Sequence, residues 1–412
     1  MNGFHRLYTI TFLLFCTRIY LVNPGYRKFL CQGHVERRLG NALDNGYEVI
    51  YVKSIGQWGI NYFSDQAAMG TEKGILTTTV GSYPIPDWLS AARGEQAIKD
   101  AIRVIVDTQR QIGIDLPTDG ELYRYDTNHS ETNGMIDYFV GPLEGVRCEL
   151  GYRECESYFK QEGLSYRVKP AGVVESELGE GSLNLVAAYE RTKSVVGPDI
   201  KFTVTSPYML GRMLLDKHYG DFEAMVMAIA EILSHQVKAL DCRCVQVDEA
   251  NVTGHFQDGP LAAKAINKVL DAVQGEKAVH LCFGNYGGQT IQRGEWKQLI
   301  DFLNSLRCDH LVLEVAHRPE SDLESLKGIR PEIGLGIGVI DVKVNEIETA
   351  EVVANRIAKA EEVLGAGRVR WVHPDCGLWM LKRSVADAKL EALVKGRDRY
   401  IAMRDGNKLE SG

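Results

Sequence analysis

The chain has 412 residues, 45% of them hydrophobic, and a formal net charge of −8 at pH 7. This is enough to bury a large core, as one big domain or two. The acidic balance and the lack of any lysine and arginine run exclude a surface that tracks a phosphate backbone, so we expect no nucleic-acid partner. Nine cysteines, an odd number spread along the chain, indicate a reducing compartment such as the cytoplasm.

The first 68 residues differ from the rest of the sequence. The apolar stretch 7–22, LYTITFLLFCTRIYLV, is typical of a signal peptide or membrane anchor, but it is short and is interrupted by Arg18. No clear small-residue cleavage site follows it. We therefore predict that residues 1–68 are an upstream extension, poorly ordered or read from a mis-chosen start, and that residues 69–412 form the catalytic domain. A signal anchor is the alternative, and we do not expect membrane association.

From Met69 onward, apolar β-branched runs alternate with amphipathic helical stretches. The first run is ILTTTVGS (75–82), and the helical stretch 94–113 follows it. The later strands are predicted at 113–121, 201–207, 244–250, 278–284, 310–315, 333–342 and 369–376. Near-continuous apolar strands that alternate with helices predict a parallel sheet covered on both faces. Eight repeats, with no glycine fingerprint after the first strand, favour a closed (β/α)8 TIM barrel over an open sheet.

One long interruption, from about 122 to 182, follows the second predicted strand. Loops after the strands of such a barrel cover its mouth, where function is usually built. Its composition is not distinct from that of its surroundings, so we predict an inserted loop region rather than a separate domain.

The strand VHLCFGN (279–285) carries His280 and Cys282, two residues apart. Side chains at this spacing face the same way on a strand, and an imidazole beside a thiol makes half a zinc site. Glu314, in an apolar run with no obvious partner, and Cys376, at a strand-to-turn junction, are candidates for the other half. One nitrogen, two sulfurs and one carboxylate oxygen form a ligand set that suits zinc.

More polar residues fall at or near the carboxyl ends of the predicted strands, together with the zinc candidates. This is the face that carries the active site in (β/α)8 barrels. These residues are Ser82, Glu121, Asp248, Glu249 and Asp341. The pattern of strands does not by itself require such a clustering, so we predict an active site there.

Seven short motifs also resemble, in the same order, those of the cobalamin-independent methionine synthase family. They are VGSYP (80–84), DGE (119–121), VDEA (247–250), HLC (280–282), LEV around Glu314, GVIDV (338–342) and HPDCGL (373–378). The resemblance is to the C-terminal catalytic barrel of that family and covers about residues 75 to 400.

The resemblance implies a zinc-dependent methyltransferase that converts homocysteine to methionine. The zinc ligands that it implies are His280, Cys282, Glu314 and Cys376. The residues that would hold the amino acid group of homocysteine are Val80, Ser82, Glu121 and Asp248.

On the methyl-donor side the sequence departs from the family. The Asp-x-His of the family, whose histidine is thought to protonate the folate leaving group, reads Asp341, Val342, Lys343 here. We take Asp341 and Lys343 as the catalytic candidates on this side. The tryptophan that stacks on the pterin would fall near Met213, and there is no room for the additional N-terminal barrel of the full-length family. The chain thus resembles short single-barrel members, and the donor is methyltetrahydrofolate or a methyl-corrinoid, the latter possibly on a corrinoid protein.

Three other functions remain open at this stage. Alkyl transfer to a different thiol, such as one like coenzyme M, would fit a site without the acids Glu121 and Asp248, but both are present. A barrel like uroporphyrinogen decarboxylase shares the architecture and needs no zinc. A non-enzymatic zinc-binding protein would hold the metal without turnover.

Overall fold

A computed structural model describes residues 17–22, 48–53, 74–125, 133–160, 169–285 and 289–410. The chain divides into two compact units, Met1–Met69 and Gly70–Gly412. In the first unit, strand β1 (Thr17–Val22), the end of the apolar stretch, pairs antiparallel with β2 (Glu48–Lys53). The remainder of the predicted extension lies outside the described residues, so its role stays a prediction. No helix in the described ranges is both long and apolar enough to cross a membrane.

The second unit is built on parallel strands. Its strands are β3 (Leu76–Thr77), β4 (Glu144–Arg147), β5 (Gly172–Gly179), β6 (Lys201–Thr205), β7 (Leu214–Asp216), β8 (Cys244–Glu249), β9 (Glu276–Leu281), β10 (His310–Leu313), β11 (Gly334–Ile340) and β12 (Val369–Pro374). Seven of them form one sheet in the order β3-β12-β11-β10-β9-β8-β6, and all neighbours in it run parallel.

Residues 116–120 close this sheet into a ring. Parallel bridges join Thr78 to Leu116 and Ser82 to Gly120 on one side, and Thr118 to Lys201 of β6 on the other. The segment pairs through isolated bridges because it contains a proline at position 117, which has no N–H to give to a ladder. It is the eighth strand position, and the predicted (β/α)8 barrel is confirmed.

Helical segments follow the strands as the periodicity predicts. The helices are α1 (Asp87–Ala91), α2 (Glu95–Ile112), α3 (Asp137–Val140), α4 (Tyr152–Phe159), α5 (Leu185–Val196), α6 (Pro207–Arg212), α7 (Phe222–Val237), α8 (Gly259–Leu270), α9 (Ile300–Ser305), α10 (Glu320–Ser325), α11 (Ala350–Leu364) and α12 (Arg383–Glu410). In α2 the apolar residues at helical spacing share one face and are buried; they are Ile98, Ala101, Ile102, Ile105 and Val106. Side chains of Asn184, Ser206, Asp221 and Thr349 cap later helices.

The insertion after the second strand position is more ordered than the sequence indicates. It contains α3, α4 and the antiparallel pair β4–β5. Strand β5 also pairs in parallel with β7, which belongs to the connection after β6. Two excursions from the barrel therefore share one three-stranded sheet.

Candidate metal centre and active site

A nitrogen and two sulfur ligands converge at the carboxyl ends of β9 and β12. One ligand atom from each of His280, Cys282 and Cys376 lies within 4.8 Å of the other two. The sulfurs of Cys282 and Cys376 are 3.8 Å apart. The turn after β12 thus places Cys376 next to His280 and Cys282, the pair predicted from the strand spacing.

The environment of His280 prepares one ring nitrogen for a ligand. Its Nδ1 lies 2.8 Å from the carbonyl oxygen of Val312, an acceptor that fixes the proton on Nδ1. Its Nε2 is buried and has no hydrogen-bond partner in the described part of the chain. Buried polar atoms seldom remain unpaired, and a histidine that binds a metal usually donates its other N–H in this way.

The thiols of Cys282 and Cys376 share a hydrogen bond. The hydrogen bond with Cys282, together with the nearby imidazole of His280, holds the pKa of Cys376 well below its ordinary value. The pKa of Cys282 rises well above its usual range, chiefly because of Cys376 and then because of burial. An imidazole nitrogen and two thiolate sulfurs fit zinc.

Glu314 lies beside this cluster but is not part of it. Its side chain is fully buried, and its Oε1 lies 2.5 Å from the Nζ of Lys343. Its Oε2 accepts a hydrogen bond from the backbone N–H of Phe283 at 2.8 Å. Glu314, which has no obvious partner in the sequence, thus has two partners in the structure. One of them, Lys343, is itself a predicted site residue.

Asp341 organises the loop that carries Lys343. Its Oδ1 accepts the backbone N–H of Lys343 at 2.8 Å, and its Oδ2 lies 2.8 Å from the Nδ1 of the half-exposed His317. Burial alone would raise the pKa of Asp341, but these hydrogen bonds hold it below its ordinary value. The sequence offered no sign of His317 as its partner.

Asp248 is the neighbour of His280 in the register of β8 and β9. Its Oδ1 accepts a hydrogen bond at 2.7 Å from the Nε2 of Gln246, which also donates to the carbonyl oxygen of Val80 at 2.7 Å. Gln246 therefore links two predicted substrate residues. Its position two residues before Asp248, on the same face of the strand, is the signal that could have found it. Burial, with the charge of Glu121, raises the pKa of Asp248 to about 7.

Glu121 is held in an uncommon backbone conformation. Among the described residues it is the one non-glycine residue with a positive φ, +58°, a conformation that costs on the order of 1 kcal/mol and is frequent at functional sites. Its Oε1 accepts the hydroxyl of Thr203 at 2.5 Å and lies 3.4 Å from Arg124. A Cβ at Gly81 would come within 2.3 Å of that oxygen, so glycine there admits the carboxylate.

Ser82 lies against the turn that carries Cys376. Its carbonyl oxygen accepts the backbone N–H of Leu378 at 2.9 Å. A Cβ at Gly377 would come within 2.1 Å of the Ser82 hydroxyl. The fold therefore joins the end of the first strand to the metal-ligand turn.

The site combines a cluster of one nitrogen and two sulfur metal ligands with buried carboxylates that can bind a cation. A sequence model of the cobalamin-independent synthase catalytic domain matches residues 75–397. The chain belongs to the cobalamin-independent methionine synthase family. The matched range includes every residue that we assign to the site.

Two archaeal relatives bear the name methionine synthase. The one from Saccharolobus solfataricus is 28% identical over 336 residues, which span 78% of this chain and 93% of the relative. The one from Pyrococcus horikoshii is 28% identical over 349 residues, 81% of this chain and 95% of the relative. The chain is thus a methyltransferase of the methionine synthase type.

Solved structures support the fold. A B12-independent methionine synthase from a Shewanella species, in complex with selenomethionine, has a TM-score of 0.64 at 23% identity and covers 80% of this chain and 98% of its own. A methyltransferase from Methanosarcina mazei has a TM-score of 0.52 at 12% identity, with coverages of 81% and 98%.

Proposed function

We propose that the protein transfers a methyl group to the sulfur of homocysteine and so forms methionine, with zinc bound by His280, Cys282 and Cys376. The observation that carries this proposal is the convergence of their ligand atoms within 4.8 Å, with the buried Nε2 of His280 unpaired in the described structure. The resemblance adds Glu314 as a fourth ligand, and this stays a prediction. We also propose a cytoplasmic location, because all seven cysteines in the described ranges are free thiols.

Zinc at this site would act as a Lewis acid that keeps the substrate thiol deprotonated and therefore nucleophilic. The protein residues prepare the site for that role. The Val312 carbonyl orients the ring of His280. The burial of His280 and Cys282 keeps water from competing for the same positions.

The acids beside the cluster would bind the amino acid group of homocysteine. Glu121 and Asp248 are close enough for the charge of one to raise the pKa of the other, so a substrate ammonium would relieve their repulsion. Backbone groups near Val80 and Ser82 would hold the substrate carboxylate. Fixing the amino acid group places the sulfur for in-line attack on the methyl group, and such orientation supplies much of the rate.

For the methyl donor we propose a methyl-corrinoid, although the family is named for synthesis without cobalamin. Lys343 stands where the family has its proton-donating histidine, and its ammonium is engaged by Glu314 at 2.5 Å. It is therefore not free to protonate a departing folate nitrogen. In transfer from a corrinoid the sulfur–carbon bond forms while the cobalt–carbon bond breaks, and the electron pair stays on cobalt. That leaving group needs no proton at this position.

The metal assignment is tested by Cys376→Ala, with Cys308→Ala as the matched control. Cys308 is a half-buried free thiol outside the cluster. We expect Cys376→Ala to lose stoichiometric zinc and methyl transfer, because it removes a metal ligand. It should keep the circular dichroism of the folded barrel, because only one partly buried thiol at the edge of the core is lost. Cys308→Ala should keep both zinc and activity. Full zinc occupancy in Cys376→Ala would contradict the assignment.

A further inference from the structure

We infer that His317 and Asp341 form a catalytic dyad whose imidazole accepts the proton that the homocysteine thiol loses when it binds. The inference rests on the proposed function and deepens it, since a thiol that binds as its thiolate must give its proton to an acceptor. His317 lies in the loop after β10 and Asp341 directly after β11. Both are therefore at the end of the barrel that carries the metal-ligand cluster.

A hydrogen bond between the two side chains fixes the tautomer of the imidazole. The Nδ1 of His317 lies 2.8 Å from the Oδ2 of Asp341. Burial would raise the pKa of Asp341, but its hydrogen bonds with His317 and with the backbone N–H of Lys343 hold this pKa below its ordinary value. The group is thus a carboxylate, which can only accept, so the proton lies on Nδ1 and the lone pair of the imidazole is on Nε2.

The acid of the dyad is shielded, and its imidazole is more open to solvent. The side chain of Asp341 is 14% exposed and that of His317 is 39% exposed. A base that is oriented by a buried acid is a recurrent catalytic arrangement. The more exposed member is here the one that has to exchange a proton with substrate and with water.

Both members of the dyad are held in place by bonds from other loops. The backbone N–H of His317 donates at 2.7 Å to Asp375, in the metal-ligand turn after β12. The backbone N–H of Asp341 donates to Glu348 at 2.8 Å, and its carbonyl oxygen accepts the ammonium of Lys389 at 2.8 Å. The dyad is therefore pre-organised, and the loop of His317 is tied to the turn that carries a metal ligand.

The groups around the imidazole favour its protonated form once the substrate is bound. Asp341 contacts the ring, and Asp375 contacts the backbone of the same loop. The cations on the neighbouring loops, Arg318 and Lys343, are each paired with a buried carboxylate. A bound thiolate adds a negative charge at this end of the barrel, so an imidazolium would have a negative partner on two sides.

The proton transfer needs no other reactant. The S–H bond of homocysteine breaks, its electron pair stays on sulfur, and an N–H bond forms at the Nε2 of His317. The imidazolium is stabilised by the carboxylate of Asp341 and returns its proton to water after methionine leaves. Transfer of the methyl group from a corrinoid consumes no proton, so one proton is released in each cycle.

The test counts the protons that are released when homocysteine binds to the zinc-loaded protein without a methyl donor. The method is titration calorimetry at about pH 7.5, where an ordinary imidazole is mostly neutral, in two buffers of different ionisation enthalpy. The variants are His317→Gln, Asp341→Asn, and His235→Gln as the matched control. His235 is also an exposed histidine beside a carboxylate, with its Nε2 3.2 Å from Glu231, but it lies on α7 outside the site.

We expect the wild type and His235→Gln to release about half a proton or less, because His317 retains the proton of the thiol. His317→Gln should release about one proton, because it has no imidazole at this position to retain it. Asp341→Asn should resemble His317→Gln, since the imidazolium loses its carboxylate. All variants should bind zinc within about threefold of the wild type, because neither residue of the dyad is a ligand.

Equal proton release by the wild type and by either variant of the dyad would overturn the inference. So would a loss of zinc affinity of about tenfold or more in His317→Gln, since the residue would then act on the metal site. A zinc-loaded wild type that does not bind homocysteine would instead contradict the proposed function, and the two failures are therefore distinguishable.

Discussion

At the scale of single residues, the site contains two buried acids that differ in their partners. Glu314 has its counter-charge within the protein, in Lys343. Asp248 has a neutral amide, Gln246, at 2.7 Å, and its pKa is raised to about 7 by burial. A buried acid whose hydrogen-bond donor is uncharged is the better receptor for a substrate ammonium.

This difference predicts which thiol the enzyme accepts. Asp248→Asn should raise KM for homocysteine by about tenfold or more, because it removes a charge-assisted contact. It should have little effect on 4-mercaptobutanoate, which is homocysteine without its ammonium group. The measurement is the steady-state rate with both thiols. An equal loss with both would mean that Asp248 acts on the fold or the metal, and a wild-type preference for a thiol without an ammonium group would favour the alternative acceptor like coenzyme M.

Contacts within the site could be predicted from the sequence only where the two residues lie close together along the chain. His280 and Cys282 could be predicted as a pair because the pleat of one strand places them together. Gln246 was within reach of the same rule, applied backward from Asp248. The pair of Lys343 and Glu314 spans 29 residues, and no local periodicity relates the two ends.

At the scale of elements, the loops at the barrel mouth hold one another in place. Asp375, next to the metal-ligand turn, accepts backbone N–H groups from the loop 315–317 at 2.7 to 2.9 Å. Lys389 of helix α12 braces the loop 341–348 through Asp341, Glu346 and Glu348. The mouth is therefore pre-organised by bonds between loops that follow different strands.

Removing the brace from α12 should loosen the loop that carries Lys343. Lys389→Met removes the buried cation beside Glu348 and leaves it with the backbone N–H of Asp341 and the partly exposed Arg356, so we expect a loss of about 3 kcal/mol in the free energy of unfolding. Amide hydrogen exchange should also become faster in residues 341–348. The control is Lys395→Met on the same helix, whose pair with Glu391 is exposed and is worth under about 1 kcal/mol. Equal stability of the two variants would show that Lys389 does not brace the loop.

The order of the elements was predictable, but their pairing was only partly so. Alternating apolar strands and amphipathic helices predict the barrel, because the hydrophobic pattern of each element is contained within its own segment of the sequence. The position of the second strand was predicted, although its proline reduces it to isolated bridges. The sheet in the insertion was missed because β5 pairs with β7, which follows β6 in the chain.

At the scale of the whole molecule, one barrel carries every residue assigned to metal and substrate. The family match over residues 75–397 includes the zinc cluster, the acid pair and the loop of Lys343. The acceptor side follows the motifs of the family, and the donor side departs from them at Lys343. We therefore expect one acceptor, homocysteine, and a donor whose leaving group needs no proton from this position.

The most direct test is methionine formation by the zinc-loaded protein supplied with homocysteine and either a methylated corrinoid or methyltetrahydrofolate. We predict zinc-dependent methionine formation with the corrinoid and none with the folate, because Lys343 is bound to Glu314. Formation with the folate would contradict the donor assignment and leave the acceptor assignment standing. Absence of methionine with both donors would contradict the central claim that this site methylates homocysteine.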